Sequence, residues 1–370
     1  MEKYISMRIR LTPLSLLLVC GAACSAVDIP ASTAIVFHGT SDASAGAFLN
    51  DELFVVADDE NNVLKVYNLA EPSRPAAVCD LAGFLKTTID NPEADIEGAT
   101  RVGDRIYWIT SHGRNKDGKE RPNRYRFFAT DIKATAAAVG LVPAGRPCED
   151  ILPALLKAPF AKALGLDKAT RLGEDLKKKE LERLAPKDEG LNIEALAASP
   201  DGTVLYIGFR NPRPVDSLTG RARALVAPLM NYREVIDKGA RPQSGEPILW
   251  DLGGLGLRSM EYCPAHKTFF LIAGPRDEGD GFVLYRWSGD REVSPAAVRR
   301  FEGEDFAPEA LMPAPDGQRL FLLSDDGSRL VRIAHPSECL PGELIDDRTC
   351  QNKHLVDPAK RTFRAAFVTP

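Results

Sequence analysis

Short apolar runs recur along this chain, each about the length of a β-strand, with turn residues between them. They fall into cycles. The first runs through "SAGAFLNDELFVVADDENNVLKVYNL" (44–69) and "PAAVCDL" (75–81). The second holds "IEGATRVGDRIYWITS" (96–111), "NRYRFFATDI" (123–132) and "AAAVGLV" (136–142). The third holds "IEALAASPDGTVLYIGFR" (193–210), "RALVAPLM" (223–230) and "EPILWDL" (246–252). The fourth holds "LRSMEYCPAHKTFFLIAG" (257–274), "GFVLYRWSG" (281–289) and "PAAVRRFEG" (295–303). The fifth begins with "PEALMPAPDGQRLFLLSD" (308–325) and "SRLVRIAHP" (328–336). Its fourth strand is either "TAIVFHG" (33–39) or "RTFRAAFVT" (361–369).

Four strand-sized segments repeated at about 50 residues are the pattern of a β-propeller. The cycles start at Ser44, Glu97, Glu194, Arg258 and Glu309, in steps of 53, 97, 64 and 51 residues. The long step contains 149–186, whose apolar residues recur at helical spacing and whose second half is densely charged. The expectation is an all-β chain of five four-stranded blades, or six if both terminal strands help to build another. A helical insertion at about 145–190 falls between blades 2 and 3. A terminal strand completing the last blade would remove the open edge.

This register places side chains. In a blade the first strand lines the central channel, and chain direction alternates, so the start of strand one and the end of strand two share a face. Leu205, Phe269 and Leu320 each follow their cycle start by 11 residues; Leu53 and Ile106 follow by nine. Ser44, Glu97, Glu194, Arg258 and Glu309 are therefore equivalent positions at one mouth of the channel. The strand-two ends on that face are Asp58, Ser111, Arg210, Gly274 and Asp325. The loops after them add Asp59, Glu60, His112, Arg114, Asn211, Arg213 and Asp326. The insertion belongs to the same face, where it would act as a lid.

Composition narrows the class. Of 370 residues, 27% are charged and 44% hydrophobic, a globular balance. A net charge of −5 does not suggest nucleic acid as a partner. The N-terminus has the parts of an export signal over 1–26: Lys3, Arg8 and Arg10, then apolar "LTPLSLLLVC" (11–20), then small-residue "GAACSA" (21–26). A lipoprotein reading competes, with Cys24 carrying the lipid anchor. The mature chain, 27–370, is expected in the periplasm or outside the cell, with no transmembrane span. Five cysteines follow the signal. Cys339 and Cys350 flank a turn-rich stretch and suit a local disulfide; Cys79 and Cys148 are candidates for a second, and Cys263 for the free thiol.

Carboxylates and arginines from several blades thus converge at one mouth. Clustered oxygens suit a hard cation such as calcium, with Asp58, Asp59, Asp325 and Asp326 as candidate ligands. Arginines suit an anion held by paired hydrogen bonds. The competing structural view is that the repeated glutamates bond the backbone of neighbouring blades. Two functions follow. One is a binding propeller that takes a small molecule or a partner protein through Ser44, Glu97, Glu194, Arg258, Glu309, His112, Arg114 and Arg210. The other is a metal-assisted hydrolase of phosphoesters or esters, with Arg114, Arg210 and Arg258 neutralising developing charge. No G-x-S-x-G elbow is present, and "ADDENN" (57–62) lacks the features of an EF-hand loop.

The ordered set "FVVADDENNVLKVY", "DIEGATRVGDRIYWITSHGRNKDGKERPNRYRFFAT", "LNIEALAASPDGTVLYIGFRNPRP", "DLGGLGLRSMEY" and "APEALMPAPDGQRLFLLSDDG" resembles the bacterial exported family named domain of unknown function 3616. The resemblance spans roughly residues 40 to 335. It implies a β-propeller and carries no established activity. The "IEGA" and "IEAL" elements are also similar to those of phytase-like, or esterase-like, propellers. The chain lacks a run matching the calcium-bound phytase signature, so no catalytic residue carries over.

Overall fold

The computed structural model describes residues 34–134, 139–186, 189–277, 279, 281–301 and 306–370. The expected export signal and Cys24 lie outside these residues. Five four-stranded antiparallel sheets follow one another along the chain. Blade 1 is Ala43–Phe48, Leu53–Asp58, Val63–Asn68 and Ala77–Asp80. Blade 2 is Ile96–Val102, Arg105–Thr110, Phe127–Ala134 and Val139–Cys148. Blade 3 is Asn192–Ala198, Leu205–Asn211, Ala224–Leu229 and Ile248–Trp250. Blade 4 is Gly256–Cys263, Thr268–Gly274, Phe282–Trp287 and Ala296–Phe301. The first strands of successive blades pack side by side, and that of blade 5 returns to that of blade 1. The ring is closed, and the fold is a five-bladed β-propeller.

Blade 5 departs from the expected strand order. Its order runs Pro308–Pro313, Leu320–Ser324, Thr362–Val368, Ile35–His38. Both terminal segments join it, as third and outer strands, instead of competing for one place. The segment 328–336 is displaced. Its Leu330–Arg332 pairs with Thr349–Gln351, which also pairs with Leu344–Asp346, making a small separate sheet. The alternating pattern of 328–336 satisfies either sheet; the more apolar 362–368 wins the blade.

Blades bury both faces because each packs between two others. Strands such as Asn192–Ala198 and Thr268–Gly274 are buried along their full length. The core is a circle of five apolar layers, one in each gap between blades. Phe37 of the N-terminal strand stacks on Phe363 of the C-terminal strand at 5.2 Å in the gap between blades 5 and 1, so the closure is packed as well as hydrogen-bonded.

The helices of the insertion are short: Ile151–Lys157, Leu166–Thr170 and Lys178–Arg183. Ile151, Leu152, Leu155, Leu166 and Ala169 sink into the layer between blades 2 and 3. Among the described residues, no helix is long and apolar enough to cross a membrane.

Cys339 and Cys350 form a disulfide within the small sheet, and Cys79, Cys148 and Cys263 are free. The expected Cys79–Cys148 pair does not form. Cys79 packs into the layer between blades 1 and 2 and Cys148 into that between blades 2 and 3, so the two thiols serve different gaps.

Candidate functional site

In every blade the first strand carries a β-bulge at the position where the cycles align. The register slips at Ser44, Glu97, Glu194, Arg258 and Glu309. A bulge adds one unpaired residue and re-aims its side chain. Small residues flank these positions because the inner strands nearly touch. A Cβ on Gly98, beside Glu97, would lie 3.1 Å from the Leu196 backbone nitrogen of blade 3. Four of the five bulge residues, all but Ser44, line a cavity of about 400 Å³ at the channel mouth.

The arginine in this series joins its neighbours. Arg258 Nη1 donates to Glu309 Oε1 at 2.6 Å and Glu194 Oε2 at 3.1 Å, spanning blades 3, 4 and 5. Its Nη2 donates to the carbonyls of Pro275 and Asp277. Arg210 Nη1 donates to Glu194 Oε1 at 2.8 Å, which also accepts from Asn192 Nδ2 at 2.7 Å. Glu194 and Glu309 are thereby held, and both guanidinium groups are engaged.

The opposite wall is acidic and poorly neutralised. Glu97 is 9% exposed and faces the cavity, and among the described residues no hydrogen bond or ion pair reaches it. Burial, then Asp95, Glu194 and Glu309, push its carboxyl well above the usual range. Burial and the charges of Asp42 and Glu97 do the same to Asp59, whose Oδ1 is buried without a partner. Asp42 is raised to about 7 by burial and by Asp58, and Asp325 to about 7 by burial and by Asp42. Glu309 is also raised to about 7 by burial, with Arg258 opposing the shift. Asp42 and Asp325 meet at an isolated bridge that brings blade 1 to blade 5. A Cβ on Gly327 would fall 1.7 Å from Asp42 Oδ1, so any other residue there would have to displace that carboxylate.

Several candidates from the sequence stand elsewhere. Ser44 Oγ donates to the Ile96 carbonyl at 2.6 Å, a bond from blade 1 to blade 2. Arg114 donates to the carbonyls of Thr170, Arg171 and Gly118 and pairs with Glu120, so it latches the insertion. His112 is buried outside the cavity, its Nδ1 2.8 Å from the Thr110 carbonyl, and burial lowers it to about 4. Asp326 lines the cavity, but both its oxygens accept from Arg364, at 2.7 and 2.8 Å. Asp58 Oδ1 accepts from the Glu60 backbone, and the side chain lies off the cavity. Of the four acids expected to bind metal, Asp59 and Asp325 remain open to the cavity. Asp59, Asp95 and Glu97 bring ligand oxygens within 4.8 Å of one another, as do Asp42, Asp59 and Glu60.

No described residue of the insertion lines the cavity; that wall comes from Ser328, Arg329, Leu330 and Lys353, next to the disulfide-bonded sheet. The helices expected as a lid pack instead into the layer between blades 2 and 3. Asp42, Asp95, Lys353 and Arg364 went unnoticed in the sequence because none lies at a repeated position. The one available signal was that Asp42 and Asp95 each stand two residues before a cycle start.

The family described as "Protein of unknown function (DUF3616)" matches residues 42–319. The chain belongs to that family. No curated protein matches it. Among solved structures, the glutaminyl cyclase of Myxococcus xanthus aligns over 91% of this chain and 96% of its own, at 9% identity and a TM-score of 0.39. A candidate 6-phosphogluconolactonase from Bacteroides uniformis aligns over 79% of this chain and 65% of its own, at 12% identity and a TM-score of 0.32.

Proposed function

We propose that this member of the DUF3616 family is an exported binding propeller whose channel mouth takes a small, positively charged ligand. One observation carries the proposal: Glu97 is held in a cavity wall, nearly buried, and no described side chain forms a hydrogen bond or ion pair with it. A buried carboxylate costs several kcal/mol unless paired, so an unpaired one persists where something else repays it. Of the arginines expected to grip an anion, Arg210 and Arg258 are held by Glu194 and Glu309 and Arg114 by Glu120 and carbonyls, which favours a cationic ligand over an anionic one. The Cys339–Cys350 disulfide and the N-terminal pattern of basic, apolar and small residues support export.

A thermal-shift series with putrescine, spermidine and arginine, set against citrate and phosphate, tests this reading. Cationic compounds should raise Tm, and E97Q should abolish the rise. A rise with the anions alone would overturn it.

A metal-assisted hydrolase is the second reading, favoured by the three carboxylates of Asp59, Asp95 and Glu97 standing within reach of one ion. Turnover of a phosphoester or ester in the presence of a divalent metal, lost in D59N, would establish it.

A further inference from the structure

We infer that the blade 1–blade 2 wall of the mouth is a site for one hard divalent cation, calcium, ligated by Asp59, Asp95 and Glu97. The inference rests on the binding reading above and names the occupant of its acidic wall. Three carboxylates meet there within 4.8 Å. Two further observations point to a missing positive charge. Glu97 is aimed into the cavity, 9% exposed and without a partner among the described residues. Asp59 Oδ1 is fully enclosed and unpartnered.

The charges fit a divalent ion. Arg124 Nη1 lies 2.8 Å from Asp95 Oδ2, and Ser111 Oγ donates to the same oxygen. These contacts fix the Asp95 carboxylate while leaving Oδ1 for a ligand. Arg124 is shared with Glu93, so one guanidinium does not balance the three carboxylates and the cluster keeps a net negative charge that a divalent cation would offset. The overlapping group of Asp42, Asp59 and Glu60 is different, because Lys353 Nζ already sits 2.6 Å from Glu60 Oε1. Lys353 acts on all three acids of that group, whereas in the other group Arg124 pairs with Asp95 and no described side chain forms an ion pair with Asp59 or Glu97.

The donor set selects the ion. All three ligands are carboxylate oxygens, the preference of hard cations, with no thiolate or imidazole to favour zinc or copper. The cavity beside them is large enough to leave coordination positions to water. Ligands drawn from a loop, a strand entry and a bulge form an irregular set, which calcium accepts more readily than magnesium with its strict octahedron.

The test is isothermal titration of the chelator-stripped full chain with calcium chloride and with magnesium chloride, and thermal shift in parallel. One calcium per chain is expected, with at least tenfold weaker binding of magnesium. E97Q and D59N should each weaken calcium at least tenfold, while E261Q, which changes a half-buried acid outside the cluster, should bind as the parent does. No calcium binding by the folded parent, or unchanged binding by E97Q and D59N, would overturn the inference. Magnesium binding as tightly as calcium would overturn the choice of ion. If calcium fails while putrescine still binds in a Glu97-dependent way, the cation site falls and the binding reading stands. If both fail, both fall.

Discussion

Arg258 and Glu309 meet at 2.6 Å across the gap between blades 4 and 5, and the same guanidinium nitrogen reaches Glu194 on blade 3. This contact explains why the repeated bulge position is not glutamate throughout. Arg258, together with Arg210 on Glu194, balances the two glutamates, and Arg258 ties three blades together. Ser44 at the next bulge bonds only backbone, and Glu97 is left over. The broken symmetry divides the mouth into a clamped side and an open acidic side.

Removing the clamp should be costly. R258M leaves Glu194 and Glu309 buried with one fewer counter-charge and deletes two bonds to carbonyls. Loss of one partner of a buried pair costs about 3–5 kcal/mol. Urea denaturation should show a drop of that order in unfolding free energy. R258K should recover only part of it, because an ammonium cannot reproduce the fork that serves two carboxylates and two carbonyls.

Stability should depend on pH through Glu261. This residue of blade 4 accepts from Thr100 Oγ1 of blade 2 at 3.0 Å, and burial raises it to about 8. A carboxyl raised on folding favours the native state while protonated. That contribution is present below the unfolded value near 4.5 and is lost as pH rises through about 8. E261Q keeps the acceptor and removes the titration. It should come close to the parent near pH 5 and exceed it by up to about 5 kcal/mol at pH 9, with a flatter profile between.

The disulfide should act locally. Cys339 and Cys350 close a loop of 11 residues in the small sheet that adjoins Arg329, Leu330 and Lys353 at the cavity. Such a loop stabilises by about 2–3 kcal/mol. In the double variant C339S/C350S, amide exchange over 330–351 should accelerate, while amides of the blade strands keep their protection.

Much of the architecture was legible because it repeats. Five cycles of alternating strands, and the offsets of nine or eleven residues from each cycle start to the next strand, mark the positions where the bulges stand. The closure was less legible. Residues 328–336 and 362–368 have the same strand pattern, and only packing against Phe37 and Phe321 decides which enters blade 5. The site divides in the same way. Glu97, Glu194, Arg258, Glu309 and Arg210 came from the register, since strand geometry dictates where they point. Asp42, Asp95 and Lys353 reach the mouth from turns and a 3₁₀ segment, whose directions no period encodes. Arg114 and His112 follow a strand end on the correct face but bend into the insertion and the core, where carbonyls claim them.

The central claim is that Glu97 is kept for a ligand and not for the ring. It is tested most directly by the unfolding free energy of E97Q against the parent in metal-free, ligand-free buffer at pH 7. Removing one of several crowded, unneutralised acids should raise stability by about 1–2 kcal/mol, the pattern of a site that trades stability for function. A fall of similar size would contradict the account, because it would mean that the Glu97 carboxylate supports the fold itself.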